Sequence, residues 1–515
     1  MLRIGIDVGG TNTDAVLMSG TEVIGWVKAG TTRDVTSGIT AALRELLGKT
    51  QAAPSEISAV MIGTTHFVNA VVQRRELMET AIVRLGLPAT KGLPPMIDWP
   101  SDLRDVLGNH AYLAHGGYEV DGRLIAALDE DELRQIAADI RAKGLRSMAV
   151  SAVFSPVNGA LEQQAAAILR EELPGVAISV SSEIGRIGLL ERENAAIMNA
   201  CLFDLGTKTI NAFREALKEL NINGQLFLTQ NDGTLMSSEF AEKFPVLTFS
   251  SGPTNSMRGA AFLSGLKDAI VVDIGGTTTD VGVLSHGFPR ESAVAVEIGG
   301  VRTNFRMPDV YSIGLGGGSI VSEEPLKVGP RSVGYEITTK ARIFGGEQLT
   351  ASDVVVAAGM ADFGDASNVA NLDANLVESA VQRIQDMVAE TVDRMKTSAV
   401  ALPVIVVGGG SILVRDHVEG ASELIKPDHY PVANAVGAAI AQISGEIDKI
   451  FTLVELTREA AIQQARDEAI ARAAAAGANP ATIQIVDVED VPLAYLPGNA
   501  TRIRVKAVGD LLINS

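Results

Sequence analysis

Two short stretches of this 515-residue chain carry carboxylates, glycines and hydroxyls in the same order. They are Asp7-Val8-Gly9-Gly10-Thr11-Asn12-Thr13-Asp14 and Asp273-Ile274-Gly275-Gly276-Thr277-Thr278-Thr279-Asp280. Paired glycines let the main chain bend tightly and approach a ligand with no Cβ in the way, so successive N–H groups can cradle phosphate oxygens. The hydroxyls of Thr11, Thr13, Thr277 and Thr279 add donors, with Asn12 and Thr278 between them. The leading carboxylates, Asp7 and Asp273, each follow an apolar run, where a strand-end acid can hold Mg²⁺ through water. Neither stretch contains the lysine of a Walker loop. A single such turn also reads as a glycine-rich hairpin with capped hydroxyls; its return in the same setting favours a ligand site and two similar lobes.

Three further segments offer polar groups. Val404-Ile405-Val406-Val407 runs into Gly408-Gly409-Gly410, which suits backbone approach to an adenine or ribose and equally suits a plain strand-to-helix turn. Thr64, Thr65, His66 and Asn69 combine donors and acceptors at a turn and helix start, for a small substrate or simply as caps. Gly316-Gly317-Gly318 offers amides for an oxyanion or phosphate.

The elements that must position these groups alternate between strand and helix. Arg3–Val8 and Ala15–Met18 read as a hairpin, Thr36–Leu47 as a helix, Val60–Ile62 as a buried strand, and His66–Arg75 as a helix. The Pro- and Gly-rich residues 87–128 read as an insertion, followed by helices at 129–143 and 159–172 and strands at 147–154 and 176–181. The periodicity of Leu189–Leu220 predicts one long helix linking two lobes. The expected division is a first lobe over 1–188, a second over 189–450, and an appendage over 451–515 packed on the second lobe. That appendage comprises an Ala-rich helix, Thr457–Ala476, and strands at 483–491 and 501–508 separated by a Pro497-Gly498-Asn499 turn.

With 46% hydrophobic residues, disorder as the main state is excluded. The net charge of −19 disfavours nucleic acid and anionic membranes as partners, and requires that any bound phosphate be neutralised locally. One cysteine, Cys201, rules out an intrachain disulfide and fits a reducing, cytoplasmic setting; it reads as a small buried hydrophobe. The six histidines, His66, His110, His115, His286, His417 and His429, form no paired metal motif. No 18-residue apolar run suggests a membrane span.

In this order the three glycine segments resemble the phosphate and adenosine loops of the superfamily of acetate and sugar kinases, heat-shock chaperones and actin. The small-residue helix Ala433–Ala439 resembles its hinge helix. Within that superfamily, Ile4–Thr11, Gly63–Ala70, Ser251-Gly252-Pro253, Asp273–Asp280, Ile313–Ile320 and Leu349–Asp353 are similar to the hydantoinase/oxoprolinase family. Asn12 stands where an aromatic residue is common in that family. The resemblance implies two ribonuclease-H-like, actin-type α/β lobes around a nucleotide cleft, with ATP and Mg²⁺ as cofactors. It also implies a cyclic amide such as a hydantoin, lactam or 5-oxoproline as substrate, and a partner like the hydantoinase beta subunit; a homo-oligomer is expected. Asp7 and Asp273 would hold the metal and phosphates. The competing expectations are a subunit of an ATP-dependent ketone carboxylase and a nucleotide-switched binding protein.

Overall fold

The computed structural model describes residues 2–10, 12–30, 35–292, 295–454, 456–494 and 499–512. Thr11, and Pro497 and Gly498 of the expected tail turn, lie outside them.

Leu2–Val8 is buried from Ile4 onward, as a central strand must be, and it pairs antiparallel with Asn12–Ser19 and parallel with Ile57–Thr64. From these grows a nine-stranded sheet. Its order is Gln484–Pro492, Thr501–Gly509, Gln442–Phe451, Thr234–Ser237, Gln225–Thr229, Ile57–Thr64, Leu2–Val8, Asn12–Ser19 and Glu22–Gly30. On one face the helices Val35–Thr50 and Phe203–Glu219 bring Ile39, Leu43 and Leu46 against Ile210 and Phe213.

A second sheet repeats the motif. Ala269–Ile274 pairs antiparallel with Thr279–Ser285 and parallel with Val404–Val407, and the helix Ala374–Met395 covers it through Val381, Ile384 and Val388. A third sheet is parallel throughout, in the order His110–His115, Thr80–Leu87, Ser147–Ala152, Ala177–Val180.

Three expectations are corrected. Residues 87–128 do not form a separate insertion, because His110–His115 pairs with Thr80–Leu87 inside the parallel sheet. Leu189–Leu220 is two helices, Leu189–Ala200 and Phe203–Glu219, and neither joins the lobes: the first packs on the parallel sheet and the second on the nine-stranded one. The tail does not pack on the second lobe, since its strands extend the first sheet through Gln442–Phe451. A stripe of Ala461, Ala465, Ala469 and Ala473 on the helix Arg458–Ala475 lets that helix lie directly on Gly445, where a Cβ would strike the Ala469 carbonyl. Strands 225–229 and 234–237 also belong to the first sheet, so sheet membership does not change at residue 189.

The chain passes between the two hairpin-bearing sheets along Ser251–Ser264 and returns along Ala433–Ala439. These helices cross at Gly259 and Gly437. A Cβ on either would collide with the other helix's backbone, at Ala433 and Asn255 respectively. Gly5 lets the first strand touch the returning helix at Ala435 and Ala439 in the same way.

Candidate functional site

The two glycine turns are built alike. The Gly9 N–H donates to the Asn12 carbonyl at 3.0 Å, and the Gly275 N–H to the Thr278 carbonyl at 2.9 Å. In each hairpin the leading and trailing aspartates face one another in register, Asp7 with Asp14 and Asp273 with Asp280. Since the first glycine of each turn spends its amide closing the turn, any phosphate contact falls to the tip residues beyond it.

Both leading carboxylates sit in a polar junction between the sheets, Asp7 buried and Asp273 partly exposed. Asp7 is pushed up to about 7, first by burial and then by the Asp14 charge; the Asn255 amide opposes this, Asp273 adds to it, and Asn434 opposes it. Asp273 is pushed up to about 6 by burial, with Ser256 and Lys28 opposing and Asp280 and Asp14 adding. Each aspartate thus feels the opposite hairpin, so the two turns converge. Asp7 Oδ1 has no hydrogen bond of normal geometry, although the Asn255 amide beside it favours its charged form. A buried carboxylate that keeps an oxygen in reserve, Asp7, beside a second that repels it, Asp273, fits a hard divalent cation such as Mg²⁺. Among the described residues no group of three or more His, Cys, Asp or Glu could hold a metal by itself.

Other groups in this junction carry no motif of their own. Asn434 Nδ2 donates to Asp7 at 3.1 Å and to Asp14 at 2.9 Å from the first turn of the returning helix. A polar residue inside an otherwise small, apolar helix was the sequence signal available for it. Asn255 donates to Thr229 at 3.0 Å, and Lys28 pairs with Asp14 at 2.7 Å. Lys28 reaches the site by cross-strand register, which the primary sequence does not display.

The remaining expected residues fall into two groups. Gly408, Gly409 and Gly410 do lie beside the second hairpin: Gly408 has φ +85°, and Gly410 packs on Ile274 and Gly275. Thr64 and Thr65 adjoin the first hairpin, since the Thr65 N–H reaches the Val8 carbonyl at 3.4 Å and Thr64 exchanges hydrogen bonds with Ser251 at 3.2 Å. His66 and Asn69 lean on the same turn, the His66 N–H donating to Thr64 Oγ1 at 3.2 Å and Asn69 Nδ2 to Thr65 Oγ1 at 3.3 Å. Burial moves the His66 imidazole below its ordinary value, which keeps it neutral.

Four expected donors are otherwise engaged. Thr279 gives its hydroxyl to the Leu315 carbonyl at 2.7 Å, not to a ligand. The Gly316, Gly317 and Gly318 amides donate to Ser319 Oγ (2.8 Å), the Gly275 carbonyl (3.1 Å) and the Gly276 carbonyl (2.7 Å). With its donors spent, that triplet braces the second turn from behind and leaves no oxyanion hole of its own.

Two sheets bearing matched hairpins, joined by crossing helices with the turns converging between them, define the class: an actin-type two-lobed α/β protein. The chain belongs to the hydantoinase/oxoprolinase family, whose N-terminal region matches residues 3–173 and whose hydantoinase/oxoprolinase region matches residues 192–404. It is 28% identical over 396 residues to the acetophenone carboxylase gamma subunit of Aromatoleum aromaticum, covering 69% of this chain and 53% of that one. It is 27% identical over 384 residues to the caprolactamase subunit alpha of Pseudomonas jessenii, covering 69% of this chain and 54% of that one. The chain therefore spans about half the length of these curated relatives. The crystal structure of the ATP-dependent caprolactamase from Pseudomonas jessenii aligns over 99% of this chain and 88% of that one, with a TM-score of 0.78 at 18% identity, a likeness of fold. No helix among the described residues is long and apolar enough to cross a membrane.

Proposed function

We propose that this chain binds Mg-ATP between its two glycine hairpins and uses it to activate a small cyclic amide, such as a hydantoin, lactam or 5-oxoproline, for ring opening. The observation that carries the reading is the convergence of Asp7 and Asp273, the first buried and the second partly exposed, each raised in pKa partly by charge from the opposite hairpin. Asp7 and Asp273 would hold Mg²⁺, which neutralises phosphate charge. Gly10, Gly276, Thr277 and Thr278 lie at the turn tips to meet the phosphates, Gly9, Asn12, Thr13 and Gly275 shape the turns, and Gly408–Gly410 flanks the nucleoside.

An amide resists water because resonance stabilises it. Attack of the amide oxygen on the terminal phosphorus forms an O–P bond and breaks the bond to ADP, which leaves. Water would then add to the activated carbon, the ring C–N bond would break as the nitrogen takes up a proton to leave an acyl phosphate, and a second water would release phosphate and the carboxylate. Thr64, Thr65, His66 and Asn69, beside the first hairpin, are proposed as the wall against which the ring sits. The hydrolytic half is assigned to a second polypeptide of the beta-subunit kind, and the setting to the cytoplasm.

Carboxylation of a ketone is the second reading, favoured by the likeness to the acetophenone carboxylase gamma subunit. A panel of hydantoins, lactams and 5-oxoproline with Mg-ATP, scored separately for ADP and for ring opening, tests the first. ADP release that requires a ketone and bicarbonate, with no response to any cyclic amide, selects the second.

A further inference from the structure

Cross-strand neighbours on one face of a sheet meet, whatever their separation in sequence. Asp7 lies opposite Asp14, and Asp14 lies opposite Lys28 on the strand Glu22–Gly30, which places the three in one row. Lys28 Nζ is 2.7 Å and 2.8 Å from the two Asp14 carboxylate oxygens. Asn434 holds Asp14 from the other side at 2.9 Å.

The Lys28 side chain also extends toward the other lobe. A Cβ built on Gly409 would stand 3.9 Å from Lys28 Cε. The ammonium therefore lies where the first hairpin, the returning helix and the third glycine turn come together. The hairpins bring Asp7, Asp14, Asp273 and Asp280 to this junction, and a triphosphate adds further negative charge there. A divalent cation offsets part of it. A lysine only 28% exposed and already pinned by a carboxylate offsets more at little further ordering cost.

We propose that Lys28 is a phosphate-binding residue of this site, sharing its ammonium between Asp14 and the phosphates of a nucleoside triphosphate, with Asp14 and Asn434 as positioning residues. The inference rests on the nucleotide reading given above. A Walker loop takes its lysine from the glycine loop itself; here a neighbouring strand supplies the charge.

The test is isothermal titration of the full chain with Mg-ATP, Mg-ADP and adenosine, using Lys28→Met, Lys28→Arg and the double variant Asp14→Asn/Lys28→Met. Loss of a charge-assisted hydrogen bond weakens Mg-ATP binding about tenfold or more in Lys28→Met, while adenosine stays within about twofold. Lys28→Arg, which keeps the charge, recovers most of the affinity. The double variant leaves no unpaired carboxylate, and it binds Mg-ATP as weakly as Lys28→Met while melting like the wild type without ligand. Wild-type affinity for Mg-ATP in either methionine variant, with the parent protein binding normally, overturns the assignment of Lys28 and leaves the nucleotide reading intact. Equal losses for Mg-ATP and adenosine overturn it as well, since they mark a general disturbance of the fold. No Mg-ATP binding by the parent protein removes both.

Discussion

Gly63 and Gly408 give the leading aspartates of the two lobes the same room, from positions one residue apart in register. Gly63 lies opposite Asp7 near the end of the parallel strand Ile57–Thr64, and Gly408 follows the strand Val404–Val407, whose Val407 faces Asp273. A Cβ on Gly63 would come 2.7 Å from Asp7 Oδ1 and would strike the Asn255 amide, and one on Gly408 would strike Asp273 Oδ1. Both carboxylates thus lean over a neighbour that has no side chain.

From this it follows that Gly63→Ala and Gly408→Ala each displace an aspartate from the junction. The expected cost is about 1–3 kcal/mol of stability, larger for Gly408 because its φ of +85° adds backbone strain. Mg-ATP affinity falls with it. Gly10→Ala is the contrast, since nothing lies within 4 Å of its Cβ, and its stability should stay within about 0.5 kcal/mol of the parent. Urea unfolding and nucleotide titration of the three variants decide the matter; a stable Gly408→Ala that binds normally contradicts the geometry.

The raised carboxylate pKa values fix a pH dependence. Asp7 titrates at about 7 in the fold against about 3.8 unfolded, so between those values the native state binds the extra proton. Its contribution favours folding at low pH and is withdrawn as pH rises toward 7, by on the order of 4 kcal/mol at most. Asp7→Asn should therefore gain stability over the metal-free parent at pH 8, lose most of that advantage by pH 5 and the rest as pH falls below about 3.8. Mg²⁺ should narrow the gap at pH 8 by stabilising the parent alone. A melting difference between the two proteins that is flat from pH 5 to 8 refutes the burial argument.

Much of this site was legible because the hairpin chemistry is local. Asp7, Gly9-Gly10, Asp273 and Gly275-Gly276 belong to turns whose glycines and carboxylates declare themselves within eight residues, and their recurrence announced two lobes. What the sequence hid is relational. Lys28 joins the site by register, and Asn434 and Asn255 join it by the crossing of two helices. Gly316–Gly318 reads like a ligand loop because close backbone packing and ligand approach require the same residue; here the close neighbour is the Gly275-Gly276 turn. The tail was misplaced for a similar reason: an alanine stripe shows that a helix packs closely but not upon which sheet.

Gly437 carries the contact between the lobes, since its missing side chain lets the Asn255 carbonyl approach. Gly437→Ala forces the returning helix away from Ser251–Ser264 and carries Asn434 with it, off Asp7 and Asp14. A loss of about 2 kcal/mol or more is expected, as for an overpacked core. Nucleotide binding should weaken in the same variant. Ala438→Gly, one residue along, leaves the crossing clear and costs about 1–2 kcal/mol through helix propensity and the loss of a buried methyl. Comparable nucleotide affinities in the two variants would show that the crossing does not set the position of Asn434.

A final expectation concerns the parallel sheet, which carries none of the proposed nucleotide contacts. Arg84 and Glu193 are both fully buried, with Arg84 Nε donating to Glu193 at 2.7 Å, Ser151 Oγ donating to the same carboxylate at 2.6 Å, and Arg84 Nη1 reaching the Leu93 carbonyl. The pair ties the strand Thr80–Leu87 to the helix Leu189–Ala200. Removing one partner strands a charge in the interior, so Arg84→Met should cost about 3–5 kcal/mol, a large share of a typical total of about 5–15. Arg84→Met/Glu193→Met removes both charges and should recover most of that loss, because desolvation of two ions offsets much of their attraction. Urea unfolding of the two variants separates the alternatives. If the double variant is no more stable than Arg84→Met, the cost lies in lost packing around the guanidinium and not in the unpaired carboxylate.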